Sequence, residues 1–275
     1  MPIRLFSDKS RPVHMGPFPA ERLERVAKVP EGTKVPQMKA LSFDRPAHPE
    51  SIVNAMGEYQ TMLDVIRDGL VNPAEAEIPT DPTERANHIK AFGYFHDATM
   101  IGICRLPQVA RLDMPVKNPH IQRLAHDLNT RQTKTLASGI DMIMADLKDS
   151  IAKPLGPIDD HTHAIVFLME NPRAPRKDEP GSDWIMDAQD HRACLLGSEV
   201  ANVIASYIRL LGFPARAHSA SAGEVDINRL AGGAGLGLGE GGELVLPPFG
   251  PPGWFLGGGP PGGFFPFPPP GPPTK

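Results

Sequence analysis

Six consecutive apolar residues, Ala164 to Met169 in "HTHAIVFLMEN", constrain this chain more than any other stretch. The run has strand length and carries two β-branched residues, Ile165 and Val166, so it reads as a strand covered on both faces. Such a strand needs a layer on each side, and the rest of the chain has to supply them.

The flanking segments carry helical periodicity. In "HPESIVNAMGEYQTMLDVIRDGL", Ile52, Met56, Tyr59, Leu63 and Ile66 recur at three- and four-residue steps, with Gly69 as a stop. "DPTERANHIKAFGYFHDA" starts a second helix, because Asp81 can cap it, Pro82 suits its first turn and Glu84 sits three residues beyond the cap. "TMIGICRL" reads as a buried strand and "NPHIQRLAHDLNTRQTKTLASGIDMIMADLKDSI" as mainly helical, with a break at Ser138-Gly139. Trp184 to Leu211 reads as one or two helices, with Leu196, Val200, Val203, Tyr207 and Leu211 as the apolar stripe and Gly212 as the stop. "PARAHSAS" follows as a short strand or extended exit, "EVDINRLAGGAGL" as a short helix and "GELVLP" as a strand. Helices interleaved with strands in this order predict a mixed layered domain of α/β or α+β type.

Three compositional zones divide the chain. Residues 1–50 are rich in proline and read as an extended arm with room for one short helix. Residues 51–246 hold the layered domain. Residues 247–275 are almost entirely Pro, Gly and Phe, a composition expected to form neither a ladder nor a helix and to remain disordered.

Charge and cysteine content exclude several classes. A formal net charge of −4, with basic and acidic residues interspersed, gives no footprint for nucleic acid. Cys104 and Cys194 lie far apart, so neither a disulfide framework, a zinc ribbon nor a four-cysteine cluster site is expected. The N-terminus lacks the apolar core of a signal peptide, and no run approaches the ~18 apolar residues of a membrane span. These features lead to an expectation of a cytoplasmic protein.

Several constellations have both a chemical and a bland reading. In "DDHTHAI", His161 and His163 would share a face of a strand, with Asp159 and Asp160 nearby, yet spacing fixes no third ligand. A polar approach to a strand explains the same residues, and no metal site is assigned. His191 and Cys194 share a helix face, but a core cysteine accounts for that as well. Cys104 sits in an apolar run and reads as buried and inert. "GAGLGLGEGG" superficially matches phosphate loops but lacks the Gly-Lys-Ser/Thr of a Walker loop. In "ARAHSASAG" the small residues Ser219, Ala220, Ser221, Ala222 and Gly223 would let a bulky planar ligand reach the backbone, with His218 bonding its edge. A small-residue turn fits them equally.

"ANVIASYIRLLGFPARAH" and "VDINRLAGGAGLG" resemble segments of corrinoid-dependent reductive dehalogenases, most closely the non-exported catabolic type. "RPVHMGPFPAERLERV" and "ERANHIKAFGYFHDATMIGICRL" look like the front of such proteins, so the likeness spans roughly residues 8 to 246. A more distant likeness is to epoxyqueuosine reductases. The resemblance implies an α+β, nitroreductase-like fold related to the cobalamin-processing domain. It implies a cobalamin cofactor, iron-sulfur clusters, an organohalide substrate and an electron donor protein or reductase module. It makes His218, Ser219, Ala220, Ser221, Asp226 and Asn228 the candidate cofactor-binding residues. No catalytic residue is transferred, and Tyr207 is expected in the core. The chain departs from the pattern in lacking the cysteine runs that ligate the clusters. The resemblance leads to the expectation of the N-terminal, incomplete portion of such an enzyme; a non-catalytic corrinoid-binding or scaffold domain and a flavin-dependent nitroreductase-like oxidoreductase are the alternatives.

Overall fold

The computed structural model describes residues 12–16, 21, 38–130, 148, 151–152, 154–170, 172–237 and 262–265. In chain order the elements are α1 (Ile52–Val65), α2 (Pro82–Phe95), β1 (Met100–Arg105), β2 (Arg111–Val116), α3 (His120–Thr130), β3 (His163–Leu168), α4 (Ser182–Ile185), α5 (Gln189–Leu210), β4 (Gly223–Val225), α6 (Ile227–Gly233) and β5 (Gly262–Phe265).

The apolar run forms β3, the middle strand of a three-stranded antiparallel sheet in the order β1-β3-β5. Its register with β1 runs from Met100 opposite Leu168 to Arg105 opposite His163. Alternation along β3 feeds two cores. Ile165 and Phe167 pack with Ile101, Ile89, Ile204 and Ile208 beneath α2 and α5. Ala164, Val166 and Leu168 point the other way, onto Met100, Val225, Leu230 and Leu236 around α6. Burying each of the larger side chains contributes about 1.5–3 kcal/mol, so this strand anchors both layers. The chain is a mixed helix-and-sheet, α+β structure with helical layers on both faces of the sheet.

Local chemistry explains the ends. Asp81 caps α2 by accepting from the backbone N–H of Thr83 at 3.1 Å and Glu84 at 3.3 Å. Gly212 terminates α5 with φ +91°, and a Cβ there would lie 2.6 Å from the Ala74 carbonyl oxygen. Gly102 in β1 is needed for a different reason: a Cβ would meet the Ala234 Cβ at 2.7 Å, so glycine lets the turn after α6 lie against the strand.

Five differences from the sequence reading have physical causes. First, α1 is a helix but turns another face inward. Val53, Met56, Gly57, Gln60, Thr61 and Asp64 are buried, while Ile52 and Tyr59 are exposed. A buried polar network holds Gln60, Thr61 and Asp64 inside. Second, α5 buries its small residues, including Ala193, Gly197, Ser198, Ala201 and Ala205, and leaves Val203 and Tyr207 on the exposed side. Ser198 faces Gln60 of α1, while Ala193, Ala201 and Ala205 pack in the core with Ile165 and Phe167 of β3. Third, α5 has the length and apolarity of a membrane-crossing helix, contrary to expectation, but 61% of its most apolar window is buried inside the protein. Fourth, β2 and its antiparallel partner β4 form a separate two-stranded sheet that periodicity did not reveal. Asp113 and Pro115 disguise β2, which is largely exposed. Fifth, Gly262–Phe265 pairs with the outer edge of β3, with Val166 opposite Gly262 and His163 opposite Phe265, although the tail was expected to form no ladder. Those four residues lie between Pro261 and Pro266 and keep their backbone donors. The "GELVLP" strand, "GLGEGG" and most of the helix expected after Thr130 lie outside the described residues.

Candidate functional site

The segment from Arg216 to Asn228 follows α5 after Gly212, enters the interior beside α1 and includes β4. Ala217 donates its backbone N–H to the Arg67 carbonyl at 2.9 Å, and Leu41 donates to Ala220 at 2.9 Å, which pins the segment from both sides. Of the six candidate residues, His218, Ser219, Ala220, Ser221 and Asp226 are all buried.

Asp64 from α1 is the centre of this interior. Its Oδ1 accepts from Gln60 Nε2 at 2.7 Å and Ser219 Oγ at 2.9 Å. Its Oδ2 accepts from Ser221 Oγ at 2.6 Å and Asn118 Nδ2 at 2.9 Å. Gln60 also donates to Ser198 Oγ on α5 at 2.9 Å. One carboxylate thus ties α1, α5, the turn before α3 and the 219–221 turn together. Burial pushes the Asp64 carboxyl above its ordinary value, against hydrogen bonds from Ser221, Asn118, Gln60 and Ser219 that favour the ionised form.

A second cluster sits beside it. Arg216 is 2% exposed and its guanidinium spans Asp68 at 2.9 Å, Glu224 at 3.1 Å and the Gly156 carbonyl at 2.9 Å. Arg67 reaches Glu224 at 3.3 Å. The planar fork of arginine suits this multiple pairing, and the two carboxylates match the two guanidinium charges. His218 lies against the cluster, and its Nδ1 accepts from the Glu224 backbone N–H at 3.2 Å. Burial first, then the positive charges of Arg67 and Arg216 and the nearby His161, hold its pKa well below the usual histidine value. The ring is neutral at physiological pH, so its 3.8 Å approach to the Glu224 carboxylate is not an ion pair.

The remaining candidates separate. Asp226 caps α6, accepting from the backbone N–H of Asn228 at 3.0 Å and Arg229 at 3.2 Å. Asn228 is half-buried at that helix start. His161 is buried and faces Arg216, and its pKa is lowered to about 4, chiefly by burial and then by Arg216. His163 begins β3 and bonds Thr162 Oγ1 at 2.9 Å, while Asp159 pairs with Arg111. The two histidines do not converge with the aspartates, and no group of three or more metal-ligating side chains occurs among the described residues. His191 engages the Ser42 carbonyl at 2.9 Å and stacks edge-on against Phe43. Cys194 is fully buried, and its thiol is pushed up to about 12 by burial and then by Asp64. No Cys–His pair forms. Burial likewise raises Cys104 to about 11.

No protein-family model matches the chain, and no curated protein sequence matches it. Solved structures do. The catabolic reductive dehalogenase NpRdhA superposes with a TM-score of 0.64 at 29% identity, covering 94% of this chain and 30% of that one. The same dehalogenase in complex with 3-bromo-4-hydroxybenzoic acid gives 0.65 at 29% identity with the same coverage. A reductive dehalogenase structure described as suggesting a mechanism for B12-dependent dehalogenation gives 0.65 at 30% identity, again over 94% of this chain and 30% of that one.

This chain is a structural relative of the catabolic reductive dehalogenases. It spans about 30% of the length of the dehalogenases it matches. A corrinoid is the group this relationship implies, and the candidate residues do not fit it. His218 has no side-chain exposure, the hydroxyls of Ser219 and Ser221 are spent on Asp64, and Asp226 is spent on a helix cap. A macrocycle would have to displace these bonds. Asp64, Gln60, Asn118, Asp68 and Glu224 were missed by sequence reasoning. The i, i+4 spacing of Gln60 and Asp64 was the available signal, and their polarity disguised it as an exposed face.

Proposed function

We propose that this chain is the N-terminal, non-catalytic scaffold portion of a corrinoid-dependent reductive dehalogenase, with a nitroreductase-like fold. The observation that carries the reading is the match over 94% of the chain to about one third of a dehalogenase. The closed Arg216–Asn228 segment supports a scaffold over a corrinoid holder, since its polar atoms stabilise the fold itself. In this reading the corrinoid, the iron-sulfur clusters and the organohalide site belong to further polypeptide. Cys104 and Cys194, both with raised pKa, provide no cluster ligand set in this chain. An electron donor protein would serve that further part, in a reducing cytoplasmic compartment.

Titrating the purified chain with cobalamin and recording the visible spectrum tests this. The expected result is no base-off shift and no halide release from 3-bromo-4-hydroxybenzoic acid under strong reductant. A stoichiometric base-off complex would restore the corrinoid-binding reading, and a yellow protein as purified would favour a flavin enzyme.

A further inference from the structure

Among the described residues, one open space lies away from the small-residue segment. Between α2 and the C-terminal half of α5, closed on one side by the loop Glu77–Pro79, there is a cavity of about 200 Å³. Ile78, Ile89, Phe92, Tyr207, Leu211 and Phe213 form its apolar wall. Phe92 and Tyr207 meet edge to face, with ring centroids 4.7 Å apart, which holds one aromatic wall in a fixed orientation. An apolar cavity of about 150 Å³ is sufficient for benzene, so this one has room for a single substituted ring.

The rim decides the charge of the occupant. Arg85 stands there but donates through one guanidinium nitrogen to the carbonyls of Pro79 at 2.8 Å and Thr80 at 3.0 Å. His88 lies 4.0 Å from Glu84, and Glu77 adds a further carboxylate to the lining. The Glu77 carboxylate in the same lining offsets the charge of Arg85, so the rim offers no net positive charge for an anion.

We propose that this cavity is a binding site for a neutral, one-ring aromatic molecule, separate from the corrinoid chemistry of the larger enzyme and independent of the scaffold reading. The ring lies between Phe92 and Tyr207 on one side and Ile78 and Leu211 on the other. Any polar substituent points outward between Glu77 and Arg85.

Methyl-resolved NMR of the full chain, titrated with toluene and separately with benzoate, tests the site. Toluene is expected to give saturable shifts at Ile78, Ile89, Ile208 and Leu211, with a dissociation constant on the order of 0.1–1 mM for so small a ligand. Benzoate should bind at least tenfold more weakly. Leu211→Trp, which fills the cavity from α5, should weaken toluene binding at least tenfold with an unchanged circular dichroism spectrum. Ile78→Trp fills it from the loop and serves if the helix variant does not fold. Shifts confined to other residues, no saturation up to the solubility limit, tighter binding of benzoate, or a folded tryptophan variant that binds as well as the parent would each overturn the proposal.

Discussion

Two regions of α5 behave in opposite ways. Near Ser198 the helix faces Asp64 and the Arg216–Asp226 segment, where small and polar residues pack into a closed, internally bonded interior. Near Tyr207 the same helix faces α2 across an apolar cavity. The first region has the composition of a ligand site and no room; the second has the composition of a core and an opening. Small residues create space only if nothing else fills it, and here Gln60 and Asp64 of α1 and Asn118 supply the filling groups.

The sharpest way to break this comparison is to disturb the charged interior. Arg216→Met should destabilise the protein by about 3–5 kcal/mol, because Asp68 and Glu224 lose the guanidinium they share. Urea denaturation measures it, and a loss below 1 kcal/mol would mean that the segment is not closed in solution.

Acid should act on the same region. His161, at about 4, and His218 are neutral when folded, whereas the unfolded chain protonates both below about 6.5. Stability contributed by the neutral rings is present above that pH and lost as pH falls through 6.5 towards 4. His161 alone accounts for about 3 kcal/mol of that loss. Asp64 works in the opposite sense, since its raised carboxyl makes stability fall as pH rises above its ordinary value of 3.8. Denaturation midpoints measured between pH 7.5 and 4.5 should therefore drop, and His161→Gln should flatten the slope. An unchanged slope in that variant would place the effect elsewhere.

Smaller changes sharpen the contrast. Ser221→Ala removes a 2.6 Å bond to buried Asp64 and should cost about 1–2 kcal/mol. Tyr207→Leu on the cavity wall, where the residue is 39% exposed, should cost only about 0.5–1 kcal/mol through the lost edge-to-face contact. Reversal of that ranking in thermal unfolding would show that the cavity wall, and not the Asp64 interior, holds α5 in place.

Much of the architecture was legible because it follows from short-range rules. The Asp81-Pro82-Glu84 start of α2, the Gly212 stop of α5 and the apolar run of β3 depend on capping groups, backbone freedom and continuous apolarity, all of which are local. The resemblance to reductive dehalogenases was legible in "ANVIASYIRLLGFPARAH" for the same reason. The candidate site was legible only as a location. His218, Ser219, Ala220, Ser221 and Asp226 do lie together or adjacent in the interior, but Ser219, Ser221 and Asp226 each have a partner more than a hundred residues away.

By itself the sequence determined the start of α2, the stop of α5 and the place of the central strand, since those features are set by each segment's own hydrogen-bonding and apolar pattern. Which face of α1 and α5 turns inward, whether a row of small residues is a pocket or a plug, and where an open cavity remains were decided by the tertiary structure alone. Those outcomes depend on which distant group satisfies a buried polar atom or fills a volume. For the Ser219–Ser221 turn a single carboxylate from α1 takes up both hydroxyls, and no local pattern encodes that pairing.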